Sequence, residues 1–310
     1  MSKFVVTGGA GFIGSNITKV LIEEGHTVKV IDNLSTGFLH NLDSVKDKIT
    51  FIQGDILDED LLNREFAGFD YCLHLAAYIS VPGSMKNPDL CRKINVEGTQ
   101  KVLEAAKKNG LKRLVLSSSS AVYGETQTGS NIEDGSVGPT SVYGETKLQG
   151  EKLCWQYAGD SFTTVVLRYF NVFGPQQNPE SDYAAVIPKF ISLMLKGQPP
   201  TIFGDGKQSR DFVFVRDVAK ANILAATSSE GAGESYNIAC GQSVNLNGLV
   251  ETINRVLQSD LKPNYAPARV GDIKFSQADI SKAKQKLNYS PSVNFEEGLK
   301  ETIEWYKTKN

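Results

Sequence analysis

The eight residues Thr7-Gly8-Gly9-Ala10-Gly11-Phe12-Ile13-Gly14 constrain this chain more than any other stretch. They follow a short apolar run, Lys3 to Thr7, and open a segment of helical periodicity from about Phe12 to Glu24. In a strand, turn, helix order each glycine has its own task. Gly8 permits the tight turn, Gly11 lets backbone approach a pyrophosphate, and Gly14 allows the helix to pack closely on the strand, with the helix amino terminus facing the phosphates. A second apolar run, Thr27 to Ile31, ends in Asp32, 18 residues after Gly14. A carboxylate there accepts hydrogen bonds from an adenosine ribose and repels a 2′-phosphate, so the pattern predicts NAD rather than NADP. Asp55, after Phe51-Ile52-Gln53-Gly54, is a second strand-end acid within reach of adenine.

Further apolar runs at Ile49 to Gln53, Tyr71 to Leu75, Leu111 to Ser117 and Phe162 to Leu167 predict strands, and stretches at about 58–66, 89–108 and 143–157 predict helices. Such alternation predicts an α/β fold with a doubly wound parallel sheet of Rossmann type. After Arg168 the elements shorten and Gly and Pro recur, which predicts a smaller mixed α/β unit. The expected division is a dinucleotide-binding part over 1–170 and a substrate-binding part over 171–310, with 217–240 returning to the first.

Composition excludes several functions. A net charge of −2 leaves no electrostatic footprint for nucleic acid or an anionic membrane surface, and no apolar run approaches a membrane span. Cys72, Cys91, Cys154 and Cys240 form no Cys-x-x-Cys pair, and His26, His40 and His74 are scattered, so no metal site is expected. Reduced, buried thiols in a cytoplasmic protein are the expectation.

The string Val-Tyr-Gly-Glu-Thr occurs twice, at 122–126 and 142–146, but only the second copy runs on into a lysine, Lys147. On a helix, Tyr143 and Lys147 share one face, so a phenol and an ammonium group can act together. Chance alone accounts for one such pair, and the pair gains meaning from its surroundings.

Those surroundings carry an ordered set of strings: TGGAGFIG at 7–14, DNLSTG at 32–37, GDI at 54–56, HLAA at 74–77, NVEGT at 95–99, SSSSAVYG at 117–124, YGETK at 143–147, RYFNVFGP at 168–175, SRDFVFV at 209–215 and ARVGD at 268–272. Over nearly its whole length the chain resembles the extended short-chain dehydrogenase/reductase family and, within it, the UDP-sugar 4-epimerases. The resemblance implies a catalytic trio of Ser119, Tyr143 and Lys147, with Ser118 the alternative within the serine run. It implies cofactor contacts from Gly8, Gly11, Phe12, Ile13, Gly14, Asp32, Asn33, Ser35, Thr36, Gly37, Asp55, Ile56, Leu75, Ala76, Ala77, Asn95 and Ser117, besides Tyr143 and Lys147. For the nucleotide sugar it implies Ser80, Ser84, Asn171, Arg210, Arg269, Asp272 and Ser276, together with Ser119 and Tyr143.

In that family Tyr143 would act as the base at the sugar 4-hydroxyl during hydride transfer to NAD, and a transient 4-keto sugar would be reduced again on its other face. Related dehydratases carry an Asp-Glu pair just after the catalytic hydroxyl residue, and decarboxylases keep the glutamate. This chain has Ser120-Ala121, which favours epimerisation. Ser276 stands where a small residue goes with acceptance of UDP-GlcNAc and UDP-GalNAc besides UDP-glucose and UDP-galactose. The resemblance also implies a homodimer formed through the two long helices. The alternatives are a UDP-glucuronate 4-epimerase, another NAD-dependent nucleotide-sugar enzyme, and a catalytically silent NAD-binding scaffold.

Overall fold

A computed structural model of the chain describes residues 1–124, 129–179, 185–268 and 274–309. Its first half alternates strands and helices: β1 (Lys3–Thr7), α1 (Phe12–Glu23), β2 (Thr27–Asp32), β3 (Ile49–Gln53), α2 (Glu59–Phe66), β4 (Tyr71–His74), α3 (Val81–Lys86) and α4 (Pro88–Arg92). After a π-helical stretch, Lys93–Gly98, come α5 (Thr99–Lys108), β5 (Arg113–Ser119), α6 (Val142–Tyr157) and β6 (Thr163–Tyr169). The predicted 89–108 helix is present as one continuous helical run, with a π insert at 93–98 where Asn95 turns inward and bonds the backbone of Tyr78 in the loop after β4.

Seven strands form one sheet in the order β11-β6-β5-β4-β1-β2-β3, β11 being Ser235–Ile238, and every pairing is parallel. This is the doubly wound sheet that the alternation predicts. Its strands are buried on both faces, which is why Phe4, Val5 and Val6 read as an unbroken apolar run rather than an alternating one. On one face lie α1 and α8 (Val215–Thr227), around Ile17, Leu21 and Val218. On the other lie α2, α5 and α6, around Leu62, Phe66, Val102 and Cys154.

Strand order reverses between β1 and β4, and ligands of such sheets bind in the crevice at the carboxyl ends of strands that diverge there. The remaining elements lie beyond that end or pack beside it. They are β7 (Asn171–Phe173), α7 (Val186–Leu195), β8 (Thr201–Phe203), β9 (Ser209–Arg210), β10 (Phe212–Phe214), β12 (Val244–Asn245), α9 (Leu246–Leu257), β13 (Asn264–Ala266), β14 (Phe275–Ser276), α10 (Ser281–Leu287) and α11 (Phe295–Lys307). Small sheets pair β10 with β7, β9 with both β12 and β14, and β13 with β8. A third core of Phe173, Phe190, Phe212, Phe214, Leu299 and Ile303 gives these short elements an interior of their own.

Candidate active site

Strand β5 delivers three serines in succession, and strand alternation sends neighbours to opposite sides. Ser118 turns to α6, where its hydroxyl donates to Glu151 Oε1 at 2.5 Å in full burial. Ser118 and Tyr143 line the cavity together with Ser119, the last residue of β5. The Ser119 hydroxyl accepts the Ala121 N–H at 3.2 Å and shares a hydrogen bond with the Tyr143 phenol.

Helix α6 starts where it does because Ser141 caps it, accepting the Gly144 N–H at 3.1 Å. Ser84 adds a second clamp: its hydroxyl accepts the Tyr143 N–H at 3.1 Å and donates to the Val81 carbonyl at 2.7 Å. One turn after Tyr143, Lys147 is buried with its ammonium donating to the Ser117 carbonyl at 2.8 Å and 5.8 Å from the Tyr143 ring centroid. Phenol, hydroxyl and ammonium thus converge at the end of one strand.

Burial pushes the Tyr143 phenol up to about 12, with the Ser119 hydrogen bond pulling the other way. Bringing such a group to neutrality needs roughly 7 kcal/mol of differential stabilisation, against roughly 4 for a free phenol. Positive charge has to supply it. Burial also lowers Lys147, to about 8, so its ammonium persists at pH 7. His74 lies nearby but is held neutral, its own value lowered to about 3 first by burial and then by Lys147. Its ring joins Thr7 at 2.7 Å and Thr99 at 3.0 Å, so it ties β1 to α5 rather than serving as a base.

The glycine turn fits a dinucleotide. Gly8 has φ +71°, and a Cβ there would lie 2.6 Å from the Ala76 backbone nitrogen across the crevice. At Gly14 a Cβ would come 2.2 Å from the Gly8 carbonyl oxygen, so helix and turn could not meet. Gly11 caps α1 without any side-chain bond, and the first turn, with Phe12 and Ile13, holds no acidic residue, so its N–H groups and partial positive charge remain for an anion. Asp32 is only 7% exposed; its carboxylate accepts the Ala10 N–H at 2.9 Å and the Leu34 N–H at 2.8 Å. Two lone-pair sites are left for ribose hydroxyls. These residues suit NAD, which they would hold with its pyrophosphate at the helix start.

Around this turn, Asn33 donates to Asp55 at 2.9 Å and its own side-chain oxygen accepts the Ser35 N–H at 3.0 Å. Gly37 lies against Ala10, Thr36 is exposed, and Ile56 is buried against Gly98. Leu75, Ala76 and Ala77 form the facing lip, tied by the Leu75 N–H to the Thr7 carbonyl at 3.0 Å. Asn95 is buried beneath that lip, its amide bonded to both backbone groups of Tyr78 and to Thr146. Ser117 spends its hydroxyl on Tyr169 at 2.9 Å and offers Lys147 its carbonyl.

A cavity of about 970 Å³ runs from Phe12 and Ile13 past Ser119 and Tyr143 to Asn171 and Arg210. Asn171 is set by its backbone N–H to the Asp211 carbonyl at 3.1 Å. Ser276 pairs in register with Arg210 across β14 and β9, beside the cavity rather than on its wall. Ser80 caps α3, accepting the Gly83 N–H at 2.9 Å. Arg269 and Asp272 lie outside the described residues. Sequence reasoning missed the contribution of α7, whose Val186, Lys189 and Phe190 line the cavity, and that of Gln177 and Gln208. None of these sits in a motif, and only the fold brings them to the wall. Among the described residues no cluster of His, Cys, Asp or Glu could hold a metal, and no helix is long and apolar enough to cross a membrane.

Residues 4–239 match the NAD dependent epimerase/dehydratase family. A UDP-N-acetylglucosamine 4-epimerase of Methanobrevibacter ruminantium, solved in complex with UDP-N-acetylmuramic acid, is 44% identical, with a TM-score of 0.95 and cover of 100% of this chain and 99% of that one. A UDP-glucose 4-epimerase of Mycolicibacterium smegmatis is 36% identical over 99% of each chain. A UDP-glucuronic acid 4-epimerase variant from Bacillus cereus, solved with UDP-4-deoxy-4-fluoro-glucuronic acid and NAD, is 34% identical, with a TM-score of 0.91 and cover of 99% of this chain and 100% of that one. The glycine turn, the strand-end acid and the Ser, Tyr and Lys trio therefore have one explanation: the chain belongs to the NAD dependent epimerase/dehydratase family and takes NAD as its cofactor.

Proposed function

We propose that this protein inverts C4 of a UDP-hexose, with Tyr143 as the proton-transfer group, Ser119 as its hydrogen-bonding partner and Lys147 as the charge that stabilises the phenolate. One observation carries the reading. Among the described residues the cavity wall presents hydroxyls, amides and cations, and no Asp or Glu. A 4-keto sugar held against such a wall meets no carboxylate to drive elimination or loss of carbon dioxide, and its open course is to be reduced again.

When bound, NAD supplies an acceptor for the C4 hydride and gives the same hydride back. Tyr143 takes the proton from the 4-hydroxyl, Ser119 hydrogen-bonds the same oxygen, and the keto sugar turns its other face before Tyr143 returns the proton. Net redox change is zero. Arginines suit the diphosphate because of their forked donors, which gives Arg210 and Arg269 their part, with Asn171 toward the sugar end and Asp272 toward the uridine ribose. Ser80 and Ser84 frame the loop that faces the sugar. Ser276, paired with Arg210 beside the cavity, is small, and in the resemblance a small residue there goes with N-acetyl sugars, so the proposed substrates include UDP-GlcNAc and UDP-GalNAc. Two copies associate through α5 and α6, where Trp155 stands 41% exposed. A UDP-glucuronate 4-epimerase is the second reading, favoured by the likeness to the uronate enzyme.

The test is separate incubation with UDP-glucose, UDP-GlcNAc and UDP-glucuronate, followed by separation of the C4 epimers. Product from either of the first two, abolished by Tyr143→Phe, is the expected result. Product from the uronate alone would replace this reading with the second. Full activity of Tyr143→Phe would remove the mechanism.

A further inference from the structure

Three residues after the end of β7, Gln176 adopts φ +73°, one of four non-glycine residues in the left-handed region among the described residues. A non-glycine residue there is strained and persists only where its surroundings hold it. The surroundings are specific. Its side-chain oxygen accepts the Ser15 hydroxyl at 2.6 Å and the Asn16 amide at 3.3 Å, both on α1. Its side-chain nitrogen donates to the Asn41 carbonyl at 2.8 Å. Asn16 also reaches the neighbouring Pro175 carbonyl at 3.1 Å.

All three partners belong to the cofactor side. Ser15 is fully buried and directly follows Gly14. Asn41 is buried as well, and its amide donates to the Ala10 carbonyl at 2.9 Å, inside the glycine turn. Gln176 itself belongs to the other side, in the segment that begins with Asn171 and continues to Gln177 on the cavity wall. One amide thus joins the start of α1, the loop that backs the glycine turn, and the segment lining the sugar cavity. Local conformation opposes its placement, so the bonds hold it there.

We propose that Gln176 is a positioning residue for NAD: a clasp through which the cavity-lining segment holds the glycine turn and the start of α1 in the geometry that retains the dinucleotide. It touches neither reacting atoms nor, through its own side chain, any group assigned to catalysis. Its effect is read in how long NAD stays bound.

Holoenzyme is mixed with an NAD-degrading glycohydrolase, and the NAD still bound is assayed over time. Gln176→Gly suits the backbone and removes the amide, while Gln176→Asn tolerates the same φ but is one methylene too short to span Ser15 and Asn41. Both are expected to shorten the half-life of bound NAD by roughly ten-fold or more, the effect of about one net hydrogen bond. Tyr306→Phe is the control, since the Tyr306 hydroxyl donates to the Gln177 carbonyl and steadies the same segment without reaching α1. It is expected to lower the melting temperature and leave the NAD half-life unchanged. The proposal fails if the Gln176 variants hold NAD as long as the wild type. It fails equally if Tyr306→Phe releases NAD as fast as they do, because the segment's general stability, not the clasp, would then set retention.

Discussion

Lys147 carries an opposed pair of demands, because in the proposed mechanism its charge steadies the phenolate while its burial disfavours that same charge. Its value in the folded protein is lowered to about 8, below the unfolded value near 10.4. The unfolded chain therefore binds more protons between those limits, so this group adds stability as pH rises from about 8 to 10. The shift corresponds to about 3 kcal/mol. Buried Cys72 and Cys154, both raised by burial, act in the opposite direction above pH 9. The difference between wild type and Lys147→Met isolates the lysine: it is expected to move in favour of the wild type across pH 8 to 10 in denaturant unfolding. A flat difference would show that the ammonium is not buried as described. Activity is expected to run the other way and fall above pH 8 as the charge is lost, which a pH profile of epimer formation checks.

At the scale of elements, α6 has one face that is chemically continuous. Tyr143, Lys147 and Glu151 are spaced by four, and Glu151 is fully buried with Arg168 of β6 at 3.0 and 2.7 Å. Arg168 also donates to the Tyr123 phenol at 2.9 Å, which in turn donates to Asn237 of β11 at 2.6 Å. The first Val-Tyr-Gly-Glu-Thr tyrosine thus helps join β11 to the sheet, and the second faces the cavity. Glu151→Gln leaves Arg168 buried without a counter-charge, which costs about 3–5 kcal/mol. A denaturant midpoint equal to that of the wild type would refute this.

The same helix shows what local pattern can reveal. The β1, α1 and β2 unit was legible because glycine spacing, apolar runs and the strand-end acid are all set by near neighbours. The two serines differ in their partners, since Ser119 shares a hydrogen bond with Tyr143 while Ser118 spends its hydroxyl on Glu151. The π stretch at 93–98 was not legible, because it brings Asn95 under the lip to bond the backbone of Tyr78, a partner 17 residues away. Nor were the buried clamp of Ser84, the cavity face of α7 or the left-handed Gln176, each of which depends on groups brought together only by the fold.

At the scale of the molecule, three cores have to cohere. Helix α11 closes the third by laying Gly298 against β7 and β10, where a Cβ would lie 2.9 Å from both Phe173 and Phe214. Gly298→Val forces those rings apart, and overpacking of this kind costs about 1–3 kcal/mol. A lower melting temperature of the holoenzyme, with Asn171 and Arg210 displaced enough to raise KM, is the expected outcome. An unchanged melting temperature would mean that the rings can yield.

The last strand of the parallel sheet has a consequence for how the chain is made. Strand β11 pairs with β6, yet about 65 residues separate them in sequence. At roughly 5–20 residues per second, a ribosome needs several seconds to supply β11 after β6 has emerged. Throughout that interval β6 is an apolar, unpaired edge, the kind of surface that recruits strands from other chains. The excursion that builds the sugar-facing side therefore also sets the window in which a nascent chain most needs a chaperone.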